Sequence, residues 1–137
     1  MILVDTNVWS ELMRPTPDRK VRQWERENAD LLWLSTIVIG ELLSGVELLP
    51  EGSRKTALRQ GYAGIFEAYS DRIAAYDFEA AQCYSVVVAE RARAGQNPDT
   101  ADSQIAATVL ARGMKLATRN WKHFEGLGFA LIDPWSA

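Results

Sequence analysis

The sequence predicts an α/β fold: a central, mainly parallel sheet of four to five strands covered on both faces, in a three-layer α/β/α arrangement. Two observations carry this expectation. Short apolar runs alternate with amphipathic or polar stretches long enough for helices, and Gly and Pro fall between these segments as turn punctuation. Length bounds the rest, because 137 residues fit one domain, residues 1–137, that buries roughly two-thirds of its unfolded surface.

The apolar run Ile2-Leu3-Val4 reads as a core strand, followed by an amphipathic helix over residues 7–13 that Pro15 and Pro17 break. A polar helix spans residues 18–28. Residues 31–34 form a second buried strand, and Ser35 or Thr36 caps a helix that runs to residue 49, before Pro50 and Gly52. A further helix covers residues 54–69, and residues 72–76 are strand-like. The helix over 78–94 stops at Gly95, the usual position for a terminating glycine. Pro98-Asp99-Thr100 opens the next helix, which Gly113 closes after Arg112; residues 115–118 and 129–132 supply the last strands.

Composition narrows the chemistry. Hydrophobic residues make up 47% and charged residues 24%, as in an ordinary soluble protein, and no apolar run approaches the ~20 residues of a membrane span. The first residues lack a basic leader, so a cytoplasmic location is expected. One cysteine, Cys83, excludes an internal disulfide and reads as a small buried hydrophobe. One histidine, His123, cannot build a histidine metal site. Carboxylates are the abundant reactive groups. The net charge of −3 argues against a general basic surface for nucleic acid. Phosphate binding must then be local, and residues 103–124 hold no acid but carry Arg112, Lys115, Arg119 and Lys122.

In parallel sheets ligands bind at the carboxyl ends of the strands, where several acids are expected. Asp5 follows the first strand directly, as a helix cap or as a site residue. Glu41 lies in a strongly apolar helix, on a face shared with Gly40, Ser44 and Gly45, and needs a partner there. Asp102 shares a helix face with Ile105 and Ala106, whereas Asp99, one turn earlier, is the better cap and at most an accessory acid. Thr118 and Asn120 fall at the carboxyl end of another strand. Three acids converging on one rim repel unless a cation joins them, and an all-oxygen set suits Mg2+ or Mn2+.

These residues resemble the PIN-domain ribonucleases, most closely the VapC-type toxins of toxin–antitoxin pairs. The resemblance rests on Leu3-Val4-Asp5-Thr6-Asn7, Ile39-Gly40-Glu41-Leu42 with Gly45, Ala101-Asp102-Ser103-Gln104-Ile105-Ala106-Ala107, Leu116-Ala117-Thr118-Arg119-Asn120 and the closing Ile132-Asp133-Pro134-Trp135. It implies that Asp5, Glu41 and Asp102 bind metal, with Asn120 at a fourth position that is often aspartate. His123 stands where relatives with the same run often carry aspartate. Thr6 and Thr118 are implied to orient the acids, and Arg14, Arg119 and Lys122 to guide RNA phosphates. The implied activity is hydrolysis of RNA by a metal-activated water, and the implied partners are a cognate antitoxin covering the site and a second copy in a homodimer. Trp9 and Trp24 are expected either at partner surfaces or in the core.

Other readings fit less well. A haloacid-dehalogenase-type phosphatase needs a second aspartate where Asn7 stands, and a receiver domain needs one after the second strand, where Ser35 and Thr36 stand. A non-catalytic PIN-like binding module with a weakened metal site is the remaining alternative.

Overall fold

The computed structural model describes residues 1–97 and 99–136. Its element order is β1 (Ile2–Val4), α1 (Thr6–Leu12), α2 (Arg19–Asn28), β2 (Leu32–Ser35), α3 (Thr36–Glu47), α4 (Ser53–Ala68), β3 (Ile73–Ala74), α5 (Phe78–Arg93), α6 (Thr100–Arg112), β4 (Lys115–Ala117) and β5 (Leu131–Ile132). The five strands form one sheet in the order β3-β2-β1-β4-β5, and every neighbouring pair is parallel.

Because β1 is buried between two neighbours, its three residues are all apolar and almost inaccessible, as are Leu32, Leu34, Leu116 and Ala117 beside them. The chain winds outward from β1 through β2 to β3, then returns to the other side for β4 and β5. Right-handed crossovers put the helices of these two excursions on opposite faces. Most helix contacts follow that division: α1 packs on α2 and α3, and α3 on α4, whereas α5 packs on α6; α3 also touches α6, joining the two groups. The result is the expected three-layer α/β/α architecture. The strand order reverses at β1 and β4, and their carboxyl ends lie side by side, with Leu3 opposite Leu116 and Val4 opposite Ala117.

Side chains fix most helix starts. Asp18 accepts from Lys20 N and Val21 N, Asp77 from Ala80 N, and Asp99 from Ala101 N and Asp102 N. Ser35, not Thr36, caps α3 through bonds from Ile37 N and Val38 N, while Thr36 Oγ1 accepts from Tyr76 N. The edge strands β3 and β5 are shorter than the apolar runs suggest, and residues 29–31 form a 3₁₀ turn ahead of β2. Pro98, expected to open α6, lies outside the described residues. Trp9 and Trp24 are buried, at 1% and 6% exposure, so the core reading replaces the partner-surface one. Cys83 is half-buried rather than fully enclosed.

Gly113 ends α6 with φ 62 and ψ 37, and an added Cβ would meet nothing within 4 Å. Gly113→Ala is therefore a backbone-strain experiment free of steric clash. It should cost about 1 kcal/mol and lower Tm by about 4 °C, read by thermal unfolding; an unchanged Tm would mean that the helix end relaxes out of the left-handed region.

Candidate active site

A cleft of about 1020 Å³ opens at the carboxyl ends of β1 and β4, and its walls include Asp5, Glu41, Asp102 and Asn120. Four separate elements deliver these side chains: the end of β1, the middle of α3, the first turn of α6 and the segment after β4. Thr6, Arg14 and Arg119 line the same cleft.

Asp5 is the best-anchored acid. It is 4% exposed and caps α1 through a 2.8 Å bond from Thr6 N to Oδ1, so the cap and site readings describe one residue. Its other oxygen, Oδ2, accepts from Thr118 Oγ1 at 2.7 Å and from Asn7 Nδ2 at 3.3 Å. Burial pushes its carboxyl above the ordinary value of 3.8 and the charge of Asp102 pushes the same way, against the bonds from Thr118, Thr6 and Asn7.

Thr118, fully buried, serves a second purpose: its Oγ1 accepts from Asn120 N at 3.0 Å. This bond holds the backbone of Asn120 beside Asp5. Asn120 precedes a 3₁₀ turn, Trp121–His123, but its side chain makes no capping bond there. Its backbone thus leads into the turn, and its amide is left to the cleft wall.

Asp102 is half-buried, and burial raises its carboxyl above 3.8; the charges of Asp99 and Glu41 add to that rise, while His123 opposes it. His123 Nδ1 lies 3.2 Å from Asp102 Oδ2. Glu41 differs from its expected surroundings, being exposed at the cleft wall rather than enclosed among small residues. Its partner is Thr6, whose Oγ1 donates to Oε1 at 2.7 Å. The mutual repulsions of Asp5 with Asp102 and of Asp102 with Glu41 make the three acids one electrostatic unit.

Besides buried Thr118, two expected positions fall outside the main cleft. Asp99 is engaged as the α6 cap, and with Lys122 it lines an adjoining hollow of about 380 Å³ that shares Asp102 as a wall. Sequence reasoning also passed over Asn7, Glu11 and Trp135. Asn7 Oδ1 accepts from Arg119 N at 3.1 Å, and buried Glu11 accepts from Asp18 N at 3.0 Å while pairing with Arg14 at 3.3 Å. The signal for Glu11 was present, since it follows buried Val8 by one helical turn and so carries an acid onto the core face.

The PIN-domain family model matches residues 2–129, nearly the whole described fold. The chain belongs to the PIN-domain family. Among the relatives of this PIN-domain chain are the plasmid stability protein StbB of Pseudomonas syringae pv. tomato and the VapC ribonuclease Y4jK of Sinorhizobium fredii. The former is 37% identical over 139 residues, covering all of both chains; the latter is 36% identical over 137 residues, covering 98% of each. The structure of FitAcB from Neisseria gonorrhoeae superposes with a TM-score of 0.92 at 33% identity, over all of both chains.

Among the described residues no three His, Cys, Asp or Glu side chains form a ready-made metal cage. The PIN-domain acids share an open cleft instead, which suits an ion that keeps several waters and takes only one or two carboxylates directly. The donors also fit a hard cation, because Asp5, Glu41, Asp102 and the Asn120 carbonyl present oxygen alone.

Proposed function

We propose that this chain is a metal-dependent endoribonuclease of one domain, residues 1–137, acting in the cytoplasm as the toxin of a toxin–antitoxin pair. The observation that carries the reading is the convergence of Asp5, Glu41 and Asp102 on one cleft of a PIN-domain chain. The names of its relatives support it, one being a VapC ribonuclease and another the toxin FitB. Among the described residues no helix is long and apolar enough to cross a membrane.

Asp5, Glu41 and Asp102 would hold Mg2+ or Mn2+, with Asn120 contributing its carbonyl or a hydrogen bond. A bound divalent ion supplies Lewis-acid stabilisation of phosphate charge and lowers the pKa of water. The chain's own groups do the placing. Thr118 and Thr6 N–H fix Asp5, Thr6 Oγ1 fixes Glu41, and His123 restrains Asp102. Arg14 and Arg119 supply positive charge along the cleft for flanking phosphates. A homodimer and an antitoxin whose C-terminal segment covers the cleft complete the proposal; the solved structure of FitAB bound to a DNA fragment supports a protein partner. Exposed Leu48 and Phe78 offer apolar surface for such contacts.

The test is cleavage of a mixed RNA pool, transfer RNA included, by purified protein with Mg2+, Mn2+ or EDTA, beside Glu41→Gln. Metal-dependent cutting that the variant loses supports the assignment. A folded, metal-loaded protein that cuts nothing returns the chain to a non-catalytic binding module.

The raised carboxyls give the metal reading a pH signature. Asp5 and Asp102 lie above 3.8 in the fold, so folding takes up protons between 3.8 and the raised values. Their contribution to metal-free stability is full below 3.8 and is lost as pH rises through the raised values. A cation competes with those protons, so the Tm gain from saturating Mn2+ should grow as pH rises through the raised values toward neutrality. A gain that stays constant across the whole range from pH 3.8 upward would remove these two acids from the metal site.

A further inference from the structure

Trp135 is the one tryptophan in the cleft wall, and it shares that wall with Arg119, Asn120 and the three acids. Part of its indole packs on the core, and the residue as a whole is only half-buried. The Arg119 guanidinium lies 4.8 Å from the indole centroid, a cation–π stack. Arg119 is exposed, and among the described residues it makes no ion pair with a carboxylate. Its side chain is thus committed to the ring and leaves guanidinium surface open to the cleft.

Both members of the stack are anchored. Arg119 N donates to Asn7 Oδ1, and Asn7 Nδ2 donates to Asp5, so the backbone that carries the guanidinium is tied to the same network as the central acid. Trp135 N donates to Asp133 Oδ1 at 3.0 Å and Ser136 Oγ to Asp133 Oδ2 at 3.1 Å, a turn that holds the indole just beyond β5. A flat π surface capped by a cation, fixed beside an acidic cleft, matches the chemistry of an unpaired nucleobase followed by its phosphate.

We propose that Arg119 stacked on Trp135 forms a platform for an unpaired RNA base next to the scissile phosphate. This rests on the ribonuclease reading and adds a binding residue to it. Single-stranded RNA is favoured over duplex, because a paired base has no free face to offer.

The experiment is binding of a short fluorescent single-stranded RNA to the full-length protein in EDTA, where no cutting occurs, across a range of salt concentrations. Trp135→Leu keeps apolar packing without a π face; Trp135→Phe restores one. Trp135→Leu should weaken binding about 5- to 100-fold with an unchanged salt slope, and Trp135→Phe should recover most of the loss. Arg119→Ala should weaken binding and lower the salt slope by about one. In cleavage assays with metal, Trp135→Leu should raise KM more than it lowers kcat. An RNA with an abasic site at the stacked position should bind wild type and Trp135→Leu alike. If wild type binds and cuts RNA while a folded Trp135→Leu matches it, the platform is overturned and the ribonuclease reading stands; the indole then serves packing or a protein partner. If wild type neither binds nor cuts RNA, both fall together.

Discussion

Asp5→Asn is expected to lower RNA cleavage by about 10³-fold or more while the protein remains folded. The substitution keeps shape and an oxygen for the hydrogen bonds from Thr6 N or Thr118, but it removes the charge from the most buried of the three acids. A metal ion contributes several kcal/mol of transition-state stabilisation, and each ~1.4 kcal/mol is tenfold in rate, so losing its anchor accounts for a drop of this size. Mn2+ titration should show weakened binding in the same variant, with the far-ultraviolet circular dichroism unchanged. Cleavage within about tenfold of wild type would show that Asp5 acts only as the α1 cap, since a cap contributes about 1 kcal/mol and leaves the chemistry alone.

The core of the fold was legible because its signals are local. A three-residue apolar run ending in an acid, Ile2 to Asp5, identifies a central strand and the start of the next helix together. The caps at Asp18, Ser35 and Asp99 and the left-handed Gly113 mark helix limits through short-range backbone chemistry. The edge strands were less legible, because a strand's length is set by its neighbour. β2 gives way to α3 after Ser35, so β3 has only two residues to pair, whatever the apolarity of Tyr76. Likewise β5 pairs with Leu116 and Ala117 alone, and Phe129 lies before the ladder begins.

At the site, residue types were legible and their couplings were not. The acids announced themselves as charges at strand ends or on apolar helix faces. Their partners come from far along the chain: Thr6 with Glu41, Thr118 with Asp5, His123 with Asp102. His123 reads in the sequence as a missing acid; in the fold it sits on Asp102 and lowers that carboxyl, partly offsetting the rise from burial. Lys122 followed the opposite course, since the basic run 103–124 suggested a phosphate contact, whereas its ammonium lies 5.6 Å from the ring centroid of Trp121 and beside the smaller hollow.

Thr118→Val should weaken Mn2+ binding about 10- to 100-fold, although Thr118 lines no part of the main cleft. Valine matches its shape, so the effect isolates the hydroxyl. That hydroxyl donates to Asp5 at 2.7 Å and accepts from Asn120 N at 3.0 Å, joining two walls of the cleft through one buried atom. Its loss leaves a buried carboxylate short of a donor and the Asn120 N–H without its acceptor, a stability cost of about 1–3 kcal/mol. It also removes the strongest influence holding the Asp5 carboxyl down, so that carboxyl rises further. Protons then compete harder with the cation, and the acidic limb of the pH–activity profile moves to higher pH. Thr118→Ser retains the hydroxyl and should restore both metal affinity and the profile. If valine lowers Tm but leaves Mn2+ affinity and the profile untouched, Thr118 braces the end of β4 without orienting Asp5, and the bonds from Thr6 N–H and Asn7 Nδ2 suffice to hold the acid in place.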